Sequence, residues 1–124
     1  MSDDKHPKVK NQENVEPVAE PPKHPETDSW PLISPDTGGS ENIMFQISET
    51  RPGGAALSHR HPNREHVFYV LSGHGTATVG DESFDVDPGD AYYVPKDVEH
   101  GIKSRTRETL KLIVVFFPAE GELI

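Results

Sequence analysis

The chain of 124 residues contains no cysteine. Disulfides, thiolate-bound zinc, iron–sulfur clusters and a cysteine nucleophile are therefore excluded by chemistry alone. Apolar residues are scarce too, at 32%, which is thin for a packed domain of this length. No apolar run approaches the roughly 20 residues of a membrane-spanning helix. Nor does an apolar stretch follow Met1-Ser2-Asp3-Asp4-Lys5, as a secretory signal would require. Positive charge is in short supply: 12 Lys and Arg stand against 21 acids, for a net charge of −9. Nucleic-acid binders draw affinity from Lys and Arg on phosphates, and anionic membranes attract basic segments, so neither partner is expected. These absences predict a cytoplasmic protein. Histidine, by contrast, is plentiful, with seven residues.

The apolar residues are unevenly spread. From Met1 to about Thr27 the aliphatics beyond Met1 are Val9, Val15, Val18 and Ala19, and five prolines interrupt the stretch. Such a segment buries too little apolar surface to offset the entropy of ordering its backbone. Residues 1–30 are therefore expected to be a disordered or loosely attached Pro-rich tail, and residues 31–124 the folded domain. Trp30, Leu32 and Ile33 are the first residues able to anchor the chain, on the domain or on a partner subunit.

Beyond Glu41 the pattern changes to short β-rich runs: Ile43–Ser48, Ala56–His61, His66–Leu71, Gly75–Val79, Ser83–Val86, Ala91–Val94, Gly101–Ser104 and Thr109–Phe117. Turn sequences rich in Gly, Pro and Asp separate them, among them a hairpin signal at Gly80-Asp81. No segment holds an apolar helix period. Strands at this spacing predict an all-β, antiparallel sandwich or barrel. Leu110–Phe117 is apolar on both faces, as a strand covered on both sides would be.

Five of the histidines lie between His59 and His100. His59 and His61 are separated by one residue, so on a strand they share a face. His66 opens the next apolar run and shares its face with Phe68 and Val70, whereas Glu65 lies on the other. A barrel could bring His59, His61, His66 and His100 together, and neutral imidazole is the commonest metal ligand. His74 is read at a hairpin tip, and His6 and His24 as solvated residues of the tail that could bind metal weakly. Arg60 and Arg64 flank the histidines, where they could meet an acidic substrate or simply face solvent.

The stretch Pro52-Gly53-Gly54 through His59-Arg60-His61, Glu65-His66 and Gly73 resembles the first signature of the cupins, G-x5-H-x-H-x3–4-E-x6-G. Gly89 through Pro95 to His100 resembles the second, G-x5-P-x-G-x2-H-x3-N, with Asp97 and Ser104 departing from its glycine and asparagine. Fifteen residues separate the two. The resemblance covers roughly Ile43 to Pro118 and implies a jelly-roll barrel with one divalent metal at its open end. Where the family usually presents glutamate, seven residues before Gly73, this chain has His66. The resemblance therefore implies a four-histidine ligand set, His59, His61, His66 and His100, with Glu65 as competitor for the fourth place.

Four neutral ligands leave the full +2 charge on the ion, which would favour an anionic oxygen ligand. Fe, Mn, Ni, Cu and Zn all suit such a set. The expected function is a metal-dependent enzyme on a small, possibly anionic, oxygen-rich or enolisable molecule. Dioxygenase chemistry ranks first and isomerase, lyase or cyclase chemistry second, with Tyr92 and Glu65 as candidate catalytic residues. The alternative is a non-catalytic module that binds metal or metabolite. Apolar alternation in Ile43–Ser48 and Leu110–Phe117 gives both sheets something to bury, and a homodimer is expected.

Overall fold

The structure, a computed structural model, describes residues 6–37, 40–61 and 63–119. Its strands are β1 (Val18–Ala19), β2 (Thr27–Ile33), β3 (Met44–Thr50), β4 (Ala55–His59), β5 (Glu65–Ser72), β6 (Gly75–Val79), β7 (Glu82–Val86), β8 (Ala91–Val94), β9 (His100–Ser104) and β10 (Leu110–Phe117). One turn of 3-10 helix, Gln12–Asn14, precedes them. Every pairing is antiparallel, giving a six-stranded sheet in the order β1-β2-β3-β10-β5-β8 and a four-stranded sheet in the order β4-β9-β6-β7. The all-β jelly-roll is thus as expected. Each of the eight runs read from the sequence forms a strand, with ends shifted by no more than two residues. No helix among the described residues is long and apolar enough to cross a membrane.

Strands β1 and β2 were not foreseen. β2 crosses the expected boundary at residue 30 and pairs along β3, from Thr27↔Thr50 to Ile33↔Phe45, so the sheet begins inside the segment read as tail. The physical reason is that ladder hydrogen bonds need no apolar side chain. The inward positions of β2 are Thr27 and Ser29, 1% and 3% exposed, and small polar residues leave no hydrophobic alternation to read. Arg51 adds ion pairs to Glu26 (3.0 Å) and Asp28 (2.8 Å). Residues 1–5 lie outside the described residues.

β10 is central, with β3 on one side and β5 on the other, which explains why it is apolar on both faces. Toward the barrel interior, register places Met44, Phe116, His66 and Val94 in one row. Gln46, Val114, Phe68 and Tyr92 form the next, followed by Ser29, Ser48, Leu112 and Val70. The outer face is apolar as well. Ile33, Phe45, Val115, Val67 and Tyr93 form one outward row, and Trp30, Ile47, Ile113, Tyr69 and Ala91 another.

Gly73 closes the β5–β6 turn at φ +79°, and a Cβ there would run into the Thr109 carbonyl and Leu110 Cα. Both the left-handed backbone and the close approach require glycine. Gly73→Ala is expected to destabilise the domain by about 3 kcal/mol, read as a lower urea midpoint at unchanged slope.

Candidate metal centre

His59 ends β4 and His100 opens β9, and the two are directly paired across the four-stranded sheet. His61 follows β4 in the loop, while His66 stands on β5 in the opposite sheet. The jelly roll folds these sheets face to face, so histidines far apart in sequence meet at one end of the barrel. Ring centroids lie 4.6 Å apart for His59 and His100, 4.8 Å for His59 and His61, and 4.7 Å for His61 and His66. His66 and His100 are 4.9 Å apart. Ligating atoms of His59, His61 and His100 fall within 4.8 Å of one another, a spacing that could hold a metal ion.

All four side chains are buried, with His66 only 1% exposed. The Nδ1 of His59 is hydrogen-bonded to the Leu57 carbonyl, and His100 Nδ1 to that of Val98 at 2.9 Å. A carbonyl accepts only from N–H, so each bond places the proton on Nδ1 and the lone pair on Nε2, the tautomer a metal ligand needs. His61 Nε2 and both ring nitrogens of His66 are buried without a partner. Unpartnered buried polar atoms of this kind are costly and fit a bound cation. Burial first, and then the neighbouring imidazoles, depresses the basicity of the cluster: His61 to about 3, His66 to about 2 and His100 to about 4. For His100 the hydrogen bond to Val98 partly opposes the burial effect. These three imidazoles are neutral at pH 7, as metal ligands must be.

Glu65 takes the opposite face of β5, as alternation predicts, and accepts a hydrogen bond from the Tyr93 hydroxyl at 2.8 Å. Tyr92 does face inward, yet it is stacked on Phe68 (4.7 Å, 5°) with Phe84 edge-on at 5.5 Å. Burial raises its phenol pKa. Neither Glu65 nor Tyr92 lines the cavity beside the histidines. His74 sits between β5 and β6, as expected of a hairpin position, with its Nδ1 2.7 Å from Asp87. Arg60 is exposed and 3.6 Å from Asp97. Arg64, read as a flanking residue, is instead 2% exposed. It donates to the carbonyls of Pro118 and Ala119 and lies 4.3 Å over the Phe116 ring.

His24, expected in a solvated tail, is instead placed beside the site histidines, a position that sequence reasoning missed. Residues 23–26 run along the start of β4, with the backbone N–H of Leu57 donating to the Lys23 carbonyl (2.7 Å) and that of Ala55 to Pro25 (3.1 Å). This strap sets the His24 ring 5.2 Å from that of His59, with Nδ1 donating to the Pro22 carbonyl at 2.7 Å. The only signal in the sequence was a histidine among prolines. Nothing local marked which strand edge it would meet. With Pro21, His24 is among the residues that line the cavity shared by the four histidines.

A model of the Cupin domain family matches residues 46–116. The chain is 34% identical over 71 residues to the dimethylsulfoniopropionate lyase DddW of Ruegeria pomeroyi, covering 56% of this chain and 45% of that protein. It spans about half the length of the curated relatives it matches. Among solved structures, the polyketide cyclase RemF of Streptomyces resistomycificus superposes with a TM-score of 0.75 at 28% identity, over 89% of this chain and 78% of that one. A predicted oxalate decarboxylase from Thermotoga maritima superposes with a TM-score of 0.78 at 18% identity, over 89% and 98%. With the motif histidines meeting inside the matched barrel, the chain belongs to the cupin domain family.

Proposed function

We propose that this cupin is a metal-dependent enzyme acting on a small oxygen-bearing molecule, with His59, His61, His66 and His100 holding one divalent transition metal. The observation that carries the reading is the convergence of four buried imidazoles, several of whose nitrogens lack a partner, at the end of a cavity. Such an ion supplies a Lewis acid that polarises a carbonyl or enol oxygen. Because the four ligands are neutral, none of its charge is offset. The carbonyls of Leu57 and Val98 hold His59 and His100 in the ligating tautomer. Phe68, Val114 and Phe116 supply apolar walls that exclude water from the substrate.

The similar proteins include a lyase and a polyketide cyclase. Their names favour non-oxidative breaking or closing of bonds over cleavage by O₂, the reverse of the order expected from the sequence. A second reading, a module that binds without turnover, draws support from the cavity lining, which contains no Asp or Glu among the described residues. Cytoplasmic location and a homodimer built on the apolar outer face of the six-stranded sheet belong to the same proposal.

Elemental analysis of protein purified without a His tag, followed by turnover assays, tests this reading. The panel is dimethylsulfoniopropionate, a β-diketone and a catechol, each with O₂ uptake recorded. About one transition metal per chain and turnover without O₂ consumption are expected. Stoichiometric O₂ uptake would make the protein an oxygenase, and stoichiometric zinc without turnover would make it a binding module.

A further inference from the structure

We infer that the β2–β3 wall of the cavity is a hydrogen-bonding subsite for the neutral, hydroxyl- or carbonyl-bearing end of the substrate, with Gln46 as its principal contact. This rests on the proposed metal site, because the other end of the substrate is the one held at the histidines.

The interior of the six-stranded sheet is chemically divided. On β10 and β5 the cavity is lined by Leu112, Val114, Phe116 and Phe68. On β2 and β3 it is lined by Thr27, Ser29, Gln46, Ser48 and Thr50. Thr27 and Thr50 satisfy each other, hydroxyl to hydroxyl at 3.0 Å, and Thr27 also reaches the Pro25 carbonyl at 3.1 Å. Gln46 does not share in this. It is 5% exposed, and its side-chain Oε1 is buried with no hydrogen-bond partner. An unpartnered buried amide lowers stability, and a methionine of similar volume would fill the same space without that penalty. A primary amide both donates and accepts, so it matches a hydroxyl or carbonyl on a ligand. Ser29 and Ser48, cross-strand partners in the adjacent inward row, flank it with two more hydroxyls.

Position fixes the span the ligand must bridge. Gln46 stands two strands from His66 in the sheet order and one inward row further along the barrel, a backbone separation on the order of 10 Å. A ligand that meets both groups bridges that distance. Its body lies on Phe68 and Val114, one oxygen edge faces the histidines, and another faces Gln46. Charge narrows the class further. Among the described residues no Lys, Arg, Asp or Glu lines the cavity, so a carboxylate or phosphate at the Gln46 end would lie unpaired in an apolar site. Negative charge on the substrate belongs at the metal end alone.

Two matched probes test the subsite on metal-loaded protein by anaerobic titration calorimetry: 4-methylcatechol and 4-(hydroxymethyl)catechol, which differ by one distal hydroxyl. The hydroxymethyl probe is expected to bind about tenfold more tightly to the wild type. Gln46→Met is expected to abolish that preference while holding 4-methylcatechol within about twofold of its wild-type affinity. In metal-free protein the same substitution is expected to raise Tm by a few degrees, roughly what relief of one unpartnered amide gives. Equal affinities in the wild type, or a preference that survives Gln46→Met, would overturn the subsite. So would a lower Tm for the metal-free variant, which would make the amide structural. If neither probe binds, or the protein takes up no metal, the metal reading itself fails and the subsite falls with it.

Discussion

His66→Ala is expected to leave the purified protein nearly free of metal, whereas Glu65→Ala keeps its full complement. The two residues are neighbours, and a motif allowing three or four residues after His61 reaches either. Among the described residues, only His59, His61 and His100 bring their ligand atoms within 4.8 Å of one another, and the strand favours His66 over Glu65 as a fourth. In β5 burial alternates from His66 through Phe68 to Val70, all interior, while Val67 and Tyr69 are exposed on the face that Glu65 shares. His66 is sandwiched in register between Phe116 and Val94. Its ring lies 4.7 Å from that of His61, and neither nitrogen has a protein partner. Glu65 already serves Tyr93 as a hydrogen-bond acceptor. Bringing it to the site would need a one-residue slip that turns every β5 side chain to the wrong face. Loss of even an outer hydrogen bond to a ligand costs roughly 10–100-fold in metal affinity, so loss of His66 itself should cost about 100-fold or more. Competition with a chromophoric chelator measures this, and equal metal loss from both variants would return the fourth place to the glutamate. His59→Ala, His61→Ala and His100→Ala should behave like His66→Ala.

Val67→Asp is expected to convert a dimer to a monomer, seen as a halved mass in size-exclusion with light scattering. The outer face of the six-stranded sheet presents two apolar rows across five strands, and Val67, Tyr69, Leu71, Tyr93 and Phe117 are 40–53% exposed on it. Monomers rarely leave so broad an apolar patch in water. A sheet face of this kind is self-complementary under a two-fold axis, which makes a second copy of this chain the occupant proposed. Val67 sits between Val115 and Tyr93, near the middle of the patch. A carboxylate there would be buried unpaired in the dimer and solvated in the monomer, an imbalance of at least about 3 kcal/mol, or more than 100-fold in the dissociation constant. Leu57→Asp, at an exposed residue of the other sheet, should leave the dimer intact. A monomeric wild type, or a dimer that survives Val67→Asp, would disprove this assembly.

Much of this architecture was legible residue by residue. Strand alternation is a local property, because side chains of an extended chain take opposite faces in turn. For that reason the eight later strands, the inward turn of Tyr92 and the outward turn of Glu65 could all be read before any pairing was known. The same local rule failed on Thr27–Ile33, whose inward residues are small and polar, so their burial left no mark in hydropathy.

The sequence by itself determined the all-β class and the inward face of His66 on its strand, since these depend on chain chirality and the two-residue period, whereas His61, expected on the strand of His59, lies in the loop that follows it. Only the tertiary structure decided what those faces meet. The pairing of β2 with β3 set a polar stretch of wall beside the apolar one, and the edge of β4 drew in residues 23–26 so that His24 lines the cavity. Arg64 was turned inward by main-chain carbonyls more than fifty residues away. Each of these rests on hydrogen bonds between segments distant along the chain. Backbone groups carry no sequence signature of their partners, and only the closed barrel selects among them.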